Sequence, residues 1–282
     1  MSKTKDTLKW LWRITKENFG NKPDDSVKIE FDEANNLKVM TFNIRRDCYG
    51  DGPNNWQYRK DAIIEMIASV KPDIICMQEV MPHMAKFLKA KLSKYYDCTG
   101  VECFTNGELT TSWCVLGEGL LTFYRKDRFI LYSKDVMKLF DGRLINCRRA
   151  FVTCIRDSHT NRSLDVVNTH FCHASDKARR DSFTKLLDWY VRSGQRYDTF
   201  FCGDFNCEFG DIESGIGKFK LIFSYSCDDK GTVNFFRGDS GKNIDFIFSD
   251  KEIFESKVIR EEFGGKKYLS DHWPILNTYK YE

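Results

Sequence analysis

Seven residues near the C-terminus, Tyr268-Leu269-Ser270-Asp271-His272-Trp273-Pro274, place a carboxylate and an imidazole side by side between apolar neighbours. Both side chains are short and polar, and burying them without partners is costly. Pro274 suits a strand start or an edge. The stretch therefore reads as a strand-flanked loop delivering acid and imidazole into a cleft. Other apolar runs end in the same manner, at Asn43, Glu79, His170, Asp204 with Asn206, and Asp245. One such ending is ordinary. A set of carboxylates, amides and imidazoles with no nucleophilic Ser or Cys motif points to metal-assisted hydrolysis. A hard cation such as Mg²⁺ takes oxygen ligands, keeps several waters and needs only one or two carboxylates. Phosphoryl transfer suits such a set, because it needs positioning and positive charge more than covalent chemistry.

The elements that must carry these residues follow from periodicity. Residues 37–44 alternate as a strand, and a Gly/Asn/Pro loop (50–55) follows. Residues 56–70 put Ile63, Ile64, Ile67 and Val70 on one helical face. Residues 72–79 form a buried-type strand, and 82–94 a helix. The stretch 95–117 is irregular. Strands are predicted at 118–125, 129–140, 145–156 and 164–170, a helix at 175–192, and a strand at 199–204. The final third is strand-rich, at 232–236, 243–249, 255–260 and 274–280. No repeat or long linker divides the chain, so interleaved α and β elements predict one domain of two face-to-face sheets with helices outside. Residues 1–36 stand apart as an extension. Leu8, Leu11, Trp12 and Phe19 fall near helical spacing among Lys and Arg, predicting a short basic amphipathic helix packed on the domain.

Composition limits the classes. Apolar residues make up 41% and aromatics 15% of the 282 residues, enough for a packed core. The 44 basic and 41 acidic residues leave a net charge of +3, which argues against indiscriminate nucleic-acid coating but allows a local basic cleft. Eleven cysteines without a C-x-x-C pair, and no apolar run long enough for an export signal or a membrane span, lead to the expectation of a cytoplasmic protein without structural disulfides. Five histidines and no Cys/His tract make a structural zinc site a poor reading. His83 and His159 read as solvent-exposed loop residues. Trp56 and Arg59 read as helix-start packing at least as well as substrate contacts.

Six strings in order then resemble the endonuclease/exonuclease/phosphatase (DNase I-like) superfamily. They are Thr41-Phe42-Asn43-Ile44, Gln78-Glu79, Asn168-Thr169-His170, Gly203-Asp204-Phe205-Asn206, Ile244-Asp245-Phe246-Ile247 and Ser270-Asp271-His272. Asn55–Asp61, Phe123–Lys126 and His170-Phe171-Cys172-His173 look like a bacterial-type branch, distantly similar to deadenylases and 2′-phosphodiesterases. The resemblance covers residues 37–282 and implies a four-layer sandwich, two mostly antiparallel sheets flanked by helices.

The resemblance also implies roles. Glu79 would be the principal Mg²⁺ ligand (Mn²⁺ substituting), with Asn43 beside it and Asp271 as a second-site ligand. Asp204 would orient or deprotonate the attacking water, and Asn206 would hold the nucleophile or a non-bridging oxygen. His272, oriented by Asp245, would hydrogen-bond the scissile phosphate, and His170 would stabilise developing charge. Arg148 is the candidate phosphate clamp, with Arg149 on the opposite strand face. Glu118 and His173 are candidates for substrate or second-metal contacts. Where this branch often has an aspartate, this chain has Cys172. The leading expectation is a Mg²⁺-dependent phosphodiesterase or nuclease acting on nucleic acid or nucleotides. The rivals are a hydrolase of phosphomonoesters, inositol phosphates or phospholipid headgroups, and a catalytically inactive binding module of the same fold.

Overall fold

The computed structural model describes residues 2–20, 26–31, 36–101, 104–105, 108–109, 117–141, 147–213 and 223–280. In chain order the elements are α1 (Ser2–Gly20), β1 (Asn36–Asn43), α2 (Trp56–Val70), β2 (Ile74–Val80), α3 (Pro82–Leu92) and β3 (Tyr96–Val101). A small hairpin follows, β4 (Phe104–Thr105) with β5 (Glu108–Leu109), then β6 (Gly119–Arg125), β7 (Phe129–Asp141), β8 (Cys147–Asp157) and β9 (Ser163–His170). The remainder is α4 (Asp176–Arg192), β10 (Asp198–Asp204), β11 (Asp245–Ser249), β12 (Glu255–Val258) and β13 (Ile275–Lys280).

One sheet runs β12-β13-β1-β2-β6-β3 and the other β11-β10-β9-β8-β7. Pairing is antiparallel except for β1 with β2 and β9 with β10. Alternation along the strands explains the layers. Val39, Cys76, Val166, Phe200, Cys202, Ile247 and Ile275 point between the sheets. Their chain neighbours Met40, Met77 and Leu276 face α2 and α3, while Val167, Phe201, Phe246 and Phe248 face α4. Both faces of each sheet are thus apolar, which four layers demand. The predicted sandwich is the one observed.

Three expectations about strands change. The stretch 95–117, read as irregular, carries β3, which pairs with β6, and the β4–β5 hairpin. Residues 232–236 form a loop instead of a strand: Val233 makes a single bridge to His272, and Phe235 and Phe236 adopt positive φ. The Asp271 carbonyl accepts from the Asn234 and Phe235 amides, so the loop is fastened to the chain's Asp-His step and not to a neighbouring strand. The expected strand at 255–260 shortens to β12. Part of the irregular 95–117 stretch, the start of the expected 145–156 strand and most of the loop after α1 lie outside the described residues.

Helix α1 forms as predicted, but its apolar reading was rotated. Leu8 and Trp12 are 60% and 67% exposed, while Ile14 and Asn18 are buried. A polar anchor sets that rotation. Trp10 Nε1 donates to Asp47 Oδ1 (3.0 Å) and Arg13 Nη2 to Asp47 Oδ2 (2.7 Å). Asn55 Nδ2 donates to Asp47 Oδ1 at 2.8 Å, and His83 Nε2 lies 2.9 Å from Asp47 Oδ2. His83, expected in solvent, is fully buried on α3 as part of this knot. Burial would raise the Asp47 carboxyl, but hydrogen bonds from His83 and Trp10 and the charge of Arg13 outweigh it and hold its pKa at about 2.

Asp47→Ala should cost about 2–4 kcal/mol, because it strands buried donors. The Asp47 contribution is complete above the ordinary carboxylate value of 3.8 and is lost as pH falls toward about 2. Urea unfolding against pH should therefore show a flatter acid limb in the variant. An identical acid limb would disprove the anchor.

Candidate functional site

Register brings the polar strand ends together. In the parallel β9–β10 pair Asp204 stands opposite His170, and in the antiparallel β10–β11 pair it stands opposite Asp245. Close approach of β9 and β10 requires Gly203, since a Cβ there would meet the Thr169 carbonyl oxygen at 2.1 Å. Asp204 is 2% exposed. It accepts from Asn43 Nδ2 (3.0 Å) and the Asn206 amide (2.8 Å), with His170 Nε2 at 3.4 Å and His272 Nε2 at 3.9 Å.

The second sheet contributes the other half. Asn43 ends β1 and Glu79 lies near the end of β2, where the pairing with β6 shifts register between Met77 and Val80. Glu79 itself has φ 60°, a left-handed conformation that re-aims its side chain. Asn43 Nδ2 donates to Glu79 Oε1 at 3.1 Å as well as to Asp204, and the Arg46 amide donates to Glu79 Oε2 at 2.9 Å. Burial would raise the Glu79 carboxyl, yet these bonds hold it below the usual range.

Asp271 joins through Ser270, whose Oγ donates to the Asn43 carbonyl (2.7 Å) and to Asp271 Oδ1 (3.2 Å). Arg45 Nη1 sits 3.3 Å from Asp271 Oδ2. His272 Nδ1 donates to Asp245 Oδ2 at 2.9 Å, and Thr232 Oγ1 donates to the same oxygen at 2.7 Å.

The electrostatics divide the two imidazoles. Burial would lower His272, but Asp245 and then Asp204 raise it to about 10, so it is a cation at neutral pH. His170 is lowered by burial and by the nearby charges of Arg148 and His272, so it is neutral. Asp204 is raised by burial and by Asp245. Asp271 rises through burial, with Glu79 adding to it, and Glu118 rises for the same two reasons.

The remaining candidates sit around this centre. Arg148 Nη1 meets Glu118 Oε1 at 3.3 Å, and Arg46 Nη1 meets Glu118 Oε2 at 3.6 Å. Arg149 turns to the other strand face, pairing with Asp141 at 2.8 Å, as alternation predicts. Asn206, at φ 52°, donates its side-chain amide to the Phe171 carbonyl at 3.1 Å. His173 is exposed next to the buried Cys172.

Five residues help to place the site: Gln78, Asn168 and Arg59, which the sequence showed without this positioning role, and Arg45 and Arg46, which it did not single out. Gln78 Nε2 donates to Asn168 Oδ1 (2.9 Å), and Asn168 Nδ2 donates to the Leu121 carbonyl (2.9 Å), so one buried amide pair ties the sheets' tips. Arg59 is 1% exposed and its guanidinium donates to the carbonyls of Ile44, Arg45, Asn54 and Leu269, clamping the loops beyond Asn43 and before Asp271. Arg45 and Arg46 add two cations to the site wall. Their place directly after the Asn43-Ile44 strand end was the available signal.

Oxygen donors dominate: Asn43 joins the carboxylates of Glu79 and Asp204, and Asp271 lies close enough to Glu79 to feel its charge, a donor set that suits a hard divalent cation. Among the described residues, one group of three His, Cys, Asp or Glu side chains has ligand atoms all within 4.8 Å: Asp204, Asp245 and His272. There His272 Nδ1 and Asp245 are already committed to each other.

The model of the Endonuclease/Exonuclease/phosphatase family matches residues 40–272. The chain is similar to Nocturnin of Xenopus laevis, 26% identical over 186 residues that cover 61% of this chain and 48% of that protein. It thus spans about half the length of that curated relative. Its structure resembles the endonuclease/exonuclease/phosphatase of Bacteroides vulgatus, with TM-score 0.76 and 27% identity over 88% of this chain and 99% of that one. The mannosyl-6-phosphatase of Bacteroides thetaiotaomicron shares the fold at TM-score 0.75 and 21% identity, over 86% of this chain and 98% of that one.

Gly203→Ala should force β9 from β10, costing about 2–3 kcal/mol as overpacking does. Chemical denaturation measures the loss. A variant as stable as the wild type would show that the two strands need no such approach.

Proposed function

Because the chain belongs to the Endonuclease/Exonuclease/phosphatase family, whose enzymes hydrolyse phosphoric esters, we propose that it is a Mg²⁺-dependent, cytoplasmic phosphodiesterase cleaving nucleic acid or nucleotide esters by direct attack of water. One observation carries the reading: Asp204 is seated between a neutral and a charged imidazole, and joined through Asn43 to Glu79.

Glu79, with Asn43 and Asp271 beside it, would hold the ion. When bound, it supplies positive charge to the phosphoryl oxygens and to the leaving group. Asp204 takes the proton of the attacking water, and its raised pKa makes it a better base than an ordinary aspartate. Asn206 orients that water or a non-bridging oxygen. His272, held cationic by Asp245, hydrogen-bonds the phosphate. Neutral His170 donates to charge that develops in the transition state. Arg148, one face of which is turned to Glu118, clamps a phosphate oxygen, and a guanidinium fork suits that task. Glu118 and exposed His173 border the substrate.

Substrate class follows from similarity and charge. The resemblance of the strand-end strings to the deadenylase and 2′-phosphodiesterase branches, with Arg45, Arg46 and Arg148 around one wall, favours a polyanionic phosphodiester. Mannosyl-6-phosphatase shows that a relative of the same fold carries a phosphomonoesterase name, so inositol phosphates and sugar phosphates belong in the same assay.

Asp204→Asn should lower kcat by about 10²–10⁴ while circular dichroism and the unfolding midpoint stay near wild type. EDTA should abolish turnover, and Mg²⁺ or Mn²⁺ should restore it. Turnover of oligonucleotides in EDTA, or by Asp204→Asn at wild-type rate, would refute the mechanism. Turnover of phosphomonoesters alone would refute the substrate class.

A further inference from the structure

A groove of about 660 Å³ opens between α1 and the 3₁₀ turn Tyr49–Asn54, with Lys9, Trp10, Arg13, Tyr49, Tyr58 and Lys266 among its walls. We propose that this groove is a binding subsite for single-stranded nucleic acid, taking a nucleotide beside the one being cleaved. The proposal rests on the phosphodiesterase reading above.

Four features of the groove suit a single strand. Tyr49 and Tyr58 are 40% and 52% exposed, although large rings ordinarily bury most of their surface. Exposed flat rings next to cations are what unpaired bases and their phosphates bind. Lys266 Nζ lies 5.9 Å from the centroid of the Tyr58 ring, so a base on that ring would have its phosphate within reach of an ammonium. The lining holds three cations, Lys9, Arg13 and Lys266, against one acid, Asp6. Arg13 is bound to Asp47, so it shapes the wall while Lys9 and Lys266 supply the charge. The volume lies within the range of nucleotide-sized ligand clefts, roughly 300–1,000 Å³.

The 3₁₀ turn that walls the groove is also tied to the catalytic cleft. Arg45 Nε pairs with Asp51 of the 3₁₀ turn at 3.2 Å, and Arg45 Nη1 pairs with Asp271 at 3.3 Å. On this proposal a strand that leaves the scissile phosphate past Arg45 meets the turn that walls the groove. The Asp47 knot fixes α1 as the outer wall, which gives the helix a task beyond covering the domain.

The test is binding of a short fluorescent single-stranded oligonucleotide to the full chain, followed by anisotropy in EDTA so that nothing is cleaved. Tyr58→Ala should weaken binding about tenfold, within the range of one base–aromatic stack, with the salt dependence unchanged. Lys266→Ala should lower the slope of log Kd against log salt by about 0.7, the value of one lost phosphate contact to a single strand. Both variants should hydrolyse bis(4-nitrophenyl) phosphate, too small to reach the groove, at the wild-type rate. Wild-type affinity and slope in both variants, or no binding by the wild type, would overturn the subsite. Failure of the wild type to hydrolyse any phosphodiester with Mg²⁺ would overturn the function instead, and anisotropy would still decide the groove.

Discussion

Negative charge crowded at the tips of hydrogen-bonded strands is the constraint on which this molecule depends. Asp204 cannot avoid Asp245, because their backbones are register partners, and Asn43 brings Glu79 to the same place. Carboxylates this close repel strongly in a partly dry cleft. The chain relieves part of the repulsion. His272 carries a proton for Asp245, the Asn43 amide lies between Glu79 and Asp204, and Arg45 faces Asp271. Burial, with what remains of the repulsion added to it, raises the carboxyls of Asp204 and Asp271. A divalent cation would complete that balance, and this is the physical case for metal-assisted chemistry.

Some of the backbone strain sits where the charge is. Arg45, Glu79 and Asn206 all adopt positive φ without being glycine. Such conformations cost of order 1–3 kcal/mol each and persist only where neighbours fix them. Here the neighbours are identifiable: the Asn43 side chain accepts from the Arg45 amide, Glu79 accepts from the Arg46 amide, and Asp204 accepts from the Asn206 amide. Arg45 and Asn206 thus turn backbone donors toward site oxygens, and Glu79 receives one at its carboxylate. The buried Arg59 fork and the Gln78–Asn168 pair stiffen the frame around them.

Much of this was legible in the chain because strands end abruptly. An apolar period-2 run that stops at Asn43, Glu79, His170 or Asp204 announces both the element and its polar tip. Arg148 and Arg149 separated as alternation requires. Long-range polar partners were not legible. Nothing local to α1 reveals that Asp47, more than thirty residues on, will turn Trp10 and Arg13 inward and leave Trp12 outside. His83 looked exposed for the same reason, its partner being Asp47. The Thr232–Phe236 stretch has the β-branched and aromatic composition of a strand, yet the Asp271 carbonyl captures its amides and makes it a loop.

On the proposed mechanism the crowded carboxylates bind one hard cation through Glu79. Thermal unfolding with increasing Mg²⁺ tests it without any substrate: a ligand bound by the native state alone must raise Tm with concentration. The wild type should show a saturable rise in Tm that Glu79→Gln loses. An equal rise in Glu79→Gln, or none in the wild type, would contradict the account.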